Sequence, residues 1–188
     1  MRMGKAVTRH PNLFVVLGEE LSTQEIEQMT ASLYREFRVS PKPESFRNKI
    51  FFLLKDGEEI LAMAGLWEVA PFVFDGKSYT VHALVEVVAN VKNSGYGKRV
   101  VCAIHDYLLA KNLTGFGFCA PKTSEFYKKC GFEIARGITS RFIYQSDGKD
   151  ITNQDGQVIF YLDSSDELMK KILAKSHVSI HIPTHELW

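Results

Sequence analysis

Apolar residues follow two rhythms along this chain, and each change of rhythm marks a new element. Leu13 to Leu17 (LFVVL) is a short apolar run that reads as a strand. Ser22 then stands three residues before Glu25, the spacing of a helix capping box. Ile26, Met29, Leu33, Tyr34 and Phe37 follow at helical intervals, so Thr23 to about Phe37 is expected to be an amphipathic helix, ended by Pro41 and Pro43. Lys49–Lys55 and Glu59–Trp67 flank Asp56-Gly57, the chemistry of a tight hairpin turn. Asp75-Gly76 makes a second such turn before a long β-rich run, Ser78 to Val91.

The rhythm returns to helical from Gly97 to about Asn112, with Val100, Val101, Ile104, Tyr107 and Leu108 on one side. Thr114 to Ala120 reads as a strand, and Pro121 opens a short helix that Gly131 stops. Phe132–Tyr144 and Gly156–Leu162 are expected strands, joined by a polar stretch. A last helix, Asp166 to about Lys175, leads into HVSIHI, where Val178, Ile180 and Ile182 alternate with His177, Ser179 and His181 as in an edge strand. This order predicts a mixed α/β (α+β) fold with a mostly antiparallel central sheet flanked by helices. Residues 1–188 read as one domain, with a core of about 13–162 and a C-terminal helix and strand extension, 163–188.

Composition adds exclusions. The formal net charge is +1, so the global basic field of a nucleic-acid binder is missing, and any anion site must be local. No stretch has the apolar length of a membrane span. Cys102, Cys119 and Cys130 are odd in number, lack CxxC spacing and follow no secretory signal, which points to reduced thiols and a cytoplasmic location. His177, His181 and His185 are spaced by four, a metal-ligand spacing only on a helix. Pro183 and the β-branched neighbours disfavour helix there, so no metal is expected. Cys119 sits in a strand of large apolar residues and reads as a core thiol rather than a nucleophile.

The distinctive stretch is VEVVANVKNSGYGKRV, from Val85 to Val100. Gly95 and Gly97 stand where a strand becomes a helix, with Lys92, Lys98 and Arg99 beside them. Free backbone N–H groups at a helix start hold anionic oxygens, and glycine lets the backbone come close. The chemistry suits a phosphate or pyrophosphate; the competing reading is a tight turn with solvated cations. Neither GxGxxG nor GxxxxGK[ST] is present.

A long strand, Lys92-Asn93-Ser94-Gly95-Tyr96-Gly97, a helix, a strand and then Glu125-Phe126-Tyr127-Lys128-Lys129-Cys130-Gly131-Phe132 resembles the GNAT superfamily of N-acetyltransferases over about Leu13 to Leu162. Lys92 stands where that motif usually has Gln or Arg. The resemblance implies acetyl-coenzyme A between the two middle strands, with its pyrophosphate on Gly95–Arg99. It implies further coenzyme contacts from Val87, Val88, Ala89, Val91, Lys92, Asn93, Ser94, Tyr96, Gly97, Lys98 and Tyr127, and a thioester-polarising N–H near Val88. Tyr127 takes the superfamily's general-acid position; without the motif it reads as a core tyrosine. Glu86, flanked by Val85 and Val87, is the candidate base, against a carboxylate on the outer face or one paired with a lysine.

A narrower similarity is to aminoglycoside 2'-N-acetyltransferases. It rests on Gln24–Met29, Val85-Glu86, Gly131 to Gly137 followed by Thr139-Ser140, Asp155-Gly156, Ser165–Met169 and the Glu186-Leu187-Trp188 terminus. It implies that Glu36, Asp155, Glu186 and the Trp188 carboxylate bind a small-molecule amine, while Gln154, Arg38 and Lys42 replace expected acids. Alternatives are a protein or peptide N-acetyltransferase and a non-catalytic acyl-coenzyme A sensor or partner domain. Dimers are common in the superfamily, and the HVSIHI edge is where a homodimer could form.

Overall fold

The structure, a computed structural model, describes residues 11–146, 149–152 and 156–182. Strand β1 (Asn12–Leu17) leads through a 3-10 turn to α1 (Thr23–Phe37). The capping box forms as expected: Glu25 N donates to Ser22 Oγ at 3.2 Å, and Ser22 N donates to a Glu25 carboxylate oxygen at 2.9 Å. Then come β2 (Lys49–Asp56), β3 (Glu59–Phe74), β4 (Lys77–Ala89), α2 (Tyr96–Lys111), β5 (Gly115–Cys119) and α3 (Ser124–Lys128). The chain closes with β6 (Glu133–Arg136), β7 (Phe142–Ser146), β8 (Lys149–Thr152), β9 (Val158–Leu162), α4 (Leu168–Ala174) and β10 (Ile180–Ile182).

Seven strands form the central sheet in the order β1-β2-β3-β4-β5-β9-β6, and β10-β7-β8 form a second sheet. All central pairs are antiparallel except β4 with β5. The result is the expected mixed α/β architecture. Both faces of β2 are covered: Phe51 and Leu53 pack with Met29 and Leu33 of α1, while Phe52 and Leu54 pack with Val100, Val101 and Ile104 of α2. That double burial is why FFLL carries no polar alternation.

Three expectations are corrected. Phe132–Tyr144 is not one strand. Gly137, at φ +71°, ends β6, and a 3-10 turn at Thr139–Arg141 sends the chain into the second sheet. The hairpin strand expected to stop at Trp67 continues to Phe74, with Pro71 at a register shift where its missing N–H costs no ladder bond. The polar stretch after Tyr144 includes β8, paired antiparallel with β7. The C-terminal extension is integral to the fold: Leu168, Met169, Ile172, Ile180 and Ile182 are fully buried with Val69, Val81, Phe116 and Phe142. Among the described residues no helix is long and apolar enough to cross a membrane.

Candidate active site

The site begins with one surplus residue. Val85 pairs with Gly65 and Val88 with Met63, so Glu86 and Val87 together oppose Ala64. This β-bulge puts Glu86 at φ +56°, a left-handed conformation that a non-glycine residue rarely adopts. Gly65 makes room for it. A Cβ at Gly65 would lie 3.0 Å from Val85 Cγ2 and 3.4 Å from Glu86 Oε2.

On the other side, β4 pairs with β5 only at His82–Gly115 and Ala83–Phe116. Beyond Phe116 the two strands have no paired residues, and β5 continues against β9 alone. A cavity of about 1030 Å³ opens in the divide. Val85, Glu86, Val87 and Ala89 line one side, and Phe118, Cys119 and Ala120 the other. Phe126 and Tyr127 of α3 also reach it, and the turn before α2 lines one end.

That turn suits an anion. Gly95 caps α2 at φ +77°, and a Cβ there would meet nothing within 4 Å. The first N–H groups of a helix have no intrahelical partner; here the first backbone bond is from Arg99 N to Gly95 O. Gly97 lies close to Ala89 and Phe126, and Lys92 and Lys98 stand on the cavity wall.

Glu86 is held by β2. Lys49 Nζ donates to Glu86 Oε1 at 2.7 Å, with both side chains largely buried. Oε2 is buried and has no hydrogen-bond partner among the described residues. Burial pushes the Glu86 carboxyl above its ordinary value, and Lys49 restrains the rise. Tyr127 is buried, its ring stacked on Phe160 at 3.6 Å between centroids. Burial, with the Cys119 and Cys130 thiols nearby, pushes its hydroxyl well above the usual phenol range. Burial likewise raises Cys119, which keeps its proton and is no nucleophile at neutral pH.

Comparison with solved structures bears on the fold. The chain superposes on a GNAT family N-acetyltransferase, YhbS from Escherichia coli in complex with CoA, with a TM-score of 0.61 at 13% identity, covering 98% of this chain and 94% of that one. The chain has the GNAT fold. A Bacillus subtilis acetyltransferase in complex with CoA gives 0.51 at 18% identity, covering 81% and 99%. A conserved protein of unknown function from Enterococcus faecalis V583 gives 0.52 at 16% identity; 66% of this chain spans 32% of that one. No protein-family model and no curated protein matches the sequence.

Within the GNAT fold the residues singled out from sequence are distributed as follows. Glu86, Val87, Ala89, Val91, Lys92, Asn93, Gly95, Tyr96, Gly97, Lys98, Tyr127 and Glu36 all line the cavity. Three do not. Val88 is buried in the core cluster with Met29 and Phe51, Ser94 Oγ donates to Val91 O, and the Arg99 guanidinium donates to Pro11 O. Asp155, Glu186, Trp188, Gln154 and His185 lie outside the described residues. His177 and His181 are exposed, His181 on β10 at the edge of the small sheet.

Sequence reasoning missed Lys49 and the part of the wall made by Leu33 and Phe37 of α1; Val39 and Pro41 belong to the Arg38–Arg47 loop, which was expected to shape the pocket. A counter-ion for Glu86 could be expected from its apolar flanks. Its identity could not, because Lys49 comes from a strand that is not β4's neighbour.

Proposed function

We propose that this protein is an N-acetyltransferase that uses acetyl-coenzyme A and a small primary amine, with direct attack in a ternary complex. The observation that carries the reading is the Glu86 bulge, which divides β4 from β5 and opens a cavity directly onto the Gly95–Lys98 helix start. The residues present fit the coenzyme. Gly95 has open space over a left-handed cap, the N–H groups of Tyr96, Gly97 and Lys98 have no intrahelical acceptor, and Lys98 supplies a cation for phosphate. Beside them the backbone of Val87–Ala89 lacks a partner from β5 and suits pantetheine amides. Bound acetyl-coenzyme A supplies an acetyl group activated as a thioester.

The protein's part is proton management. An alkylamine near pKa ~10.4 is neutral in only about one molecule in two thousand at pH 7. Glu86 accepts that proton directly or through water, and its raised pKa brings it closer to the working range of a base. Glu86 passes that first proton to solvent; then, as the amine nitrogen bonds to the acetyl carbon and the carbon–sulfur bond breaks, the second proton leaves nitrogen through Glu86 to solvent and one proton reaches sulfur from Tyr127. Solvent restores the tyrosine. Burial keeps the Tyr127 proton in place until that moment, and makes full transfer costlier than the ~2 kcal/mol separating a free phenol from a free thiol.

One observation favours a second reading, a coenzyme-binding domain without turnover: Glu86 is already ion-paired to Lys49. Calorimetric titration with acetyl-coenzyme A, followed by thiol release in the presence of amines, decides between them. Under the transferase reading Glu86→Gln lowers kcat/KM about 10²–10³-fold with coenzyme affinity nearly unchanged. Gly97→Asp weakens coenzyme binding about tenfold or more through charge repulsion at the helix start. Binding without thiol release from any amine would establish the second reading. Of the acids implied by the aminoglycoside similarity, only Glu36 lies in the described residues, and Lys92 holds it at 2.7 Å. That kinship therefore does not guide the acceptor assignment.

A further inference from the structure

The cavity has two unlike ends. The end at the α2 start is polar and cationic. The end beneath α1 is built from Leu33, Phe37, Val39 and Pro41. Leu33 is a buried floor residue, whereas Phe37 and Val39 remain 50% and 49% exposed. Apolar side chains left half in water at a cavity mouth are stabilised by an apolar occupant.

Charge at this end is already matched. Glu36 pairs with Lys92 and Glu86 with Lys49, each at 2.7 Å. With Lys98, the cavity lining has one cation left over. The loop beyond α1 carries exposed Arg38, Lys42 and Glu44 outside the cavity lining, with the Arg38 guanidinium 5.6 Å from the centre of the Tyr34 ring. A polycation would bring ammonium groups to an apolar wall where each must lose water, and the acids among the described lining residues are already paired. Among the described lining residues one carboxylate oxygen is left without a donor: Glu86 uses one oxygen for Lys49, and its other oxygen has no hydrogen-bond partner. A carboxylate has room for more than one donor. The described carboxylates therefore match a single N–H-bearing group, and the wall of Leu33, Phe37, Val39 and Pro41 an apolar body.

We propose that the acceptor is a primary monoamine on an apolar, ring-sized or short-chain body, seated between α1 and the Val39–Ser45 segment with its nitrogen directed to Glu86. This rests on the transferase reading above and narrows it: the site selects against polyamines and amino sugars. Phe37 and Val39 are the specificity-determining residues.

The test compares thiol release from acetyl-coenzyme A with 2-phenylethylamine and hexylamine against spermidine and kanamycin. The apolar monoamines are expected to exceed the polycations in kcat/KM by about a hundredfold. A second readout needs no turnover: 2-phenylethylamine is titrated calorimetrically into protein saturated with coenzyme A, where spermidine should give no saturable heat. Phe37→Asp, at an exposed position that leaves the fold intact, should weaken 2-phenylethylamine about tenfold and leave coenzyme A affinity within about twofold. Equal or better turnover of spermidine or kanamycin overturns this acceptor class and leaves the transferase reading standing. Unchanged 2-phenylethylamine binding in Phe37→Asp overturns the assignment of the apolar wall. Coenzyme binding without thiol release from any amine removes the transferase reading, and this inference with it.

Discussion

The two halves of β4 belong to one strand and have opposite uses. From Tyr79 to Ala83 the strand has β3 on one side and meets β5 on the other, and Tyr79, Val81 and Ala83 disappear into the core. From Val85 to Ala89 it keeps β3, loses β5 and lines the cavity. The cavity half, VEVVA, has three valines against one in YTVHA, so hydrophobicity alone would bury it. The difference is the surplus residue opposite Ala64. A bulge increases local twist and turns the strand away from its neighbour, which converts a core strand into a cavity wall. Glu86, the residue that carries the bulge, is also the base we propose.

Deleting Glu86 breaks this contrast most severely. Val87 alone would then face Ala64, and Val85, Val87 and Val88 would alternate regularly across the sheet. The expected protein is folded but melts below the parent, because relief of the strained backbone is outweighed by the buried Lys49 ammonium left without its partner. It should lose thiol release entirely and bind coenzyme A at least about a hundredfold more weakly, as β4 closes towards β5. Calorimetry and a thermal melt on one sample check both halves. Retained coenzyme affinity would mean that the bulge does not hold the cleft open.

A smaller effect is expected on the opposite rim. Gly117 pairs with Phe160 on the side of β5 away from β4. A Cβ there would come within 2.3 Å of the Phe160 ring, the same ring that stacks on Tyr127. Gly117→Ala must therefore displace Phe160 and disturb Tyr127 with it. Overpacking of this kind costs about 1–3 kcal/mol, so the melting temperature should fall by several degrees at roughly 2–4 °C per kcal/mol. Activity should fall more than coenzyme binding. An unshifted melting curve would show that the ring moves freely and that the stack does not position Tyr127.

Much of this was legible in the residues. Ser22-x-x-Glu25, Asp56-Gly57 and the helix start at Gly95 specify local geometry through side chains near in sequence, and all three form. Val87 to Val91 was read as a cofactor edge by resemblance, and Val87, Ala89 and Val91 line the cavity while Val88 is buried in the core. Arg99 stood in the same motif, yet its guanidinium turns to Pro11 O, a contact with a segment distant in the chain. The break at Gly137 was hidden because FEIARGITSRFIY is apolar enough on both sides to pass for one strand. The α1 part of the apolar wall escaped notice for a different reason: Leu33 and Phe37 belong to the helix pattern that predicts α1, and periodicity does not say which end of an apolar stripe stays open.

The finest expected effect concerns Lys49, which couples β2 to the bulge. Glu86 is raised by burial and restrained by Lys49, which is the charged partner acting on it among the described residues. Lys49→Gln removes the restraint, so the Glu86 pKa should rise further. A base must be ionised to accept a proton, so the acid limb of kcat/KM should move to higher pH, by about one unit, and activity should recover towards the parent in alkali. Stability follows the same sign. A carboxyl with a raised folded-state pKa contributes stability below its unfolded value, and that contribution is lost as pH rises through the folded value. Lys49→Gln should therefore be nearly neutral in acid and increasingly destabilised relative to the parent as pH climbs from the ordinary glutamate range through the raised one. Lys49→Arg, which keeps the charge, should restore most of the profile. A pH–rate curve unmoved by Lys49→Gln, with stability lost equally at all pH values, would reduce Lys49 to a packing residue and separate the bulge from its chemistry.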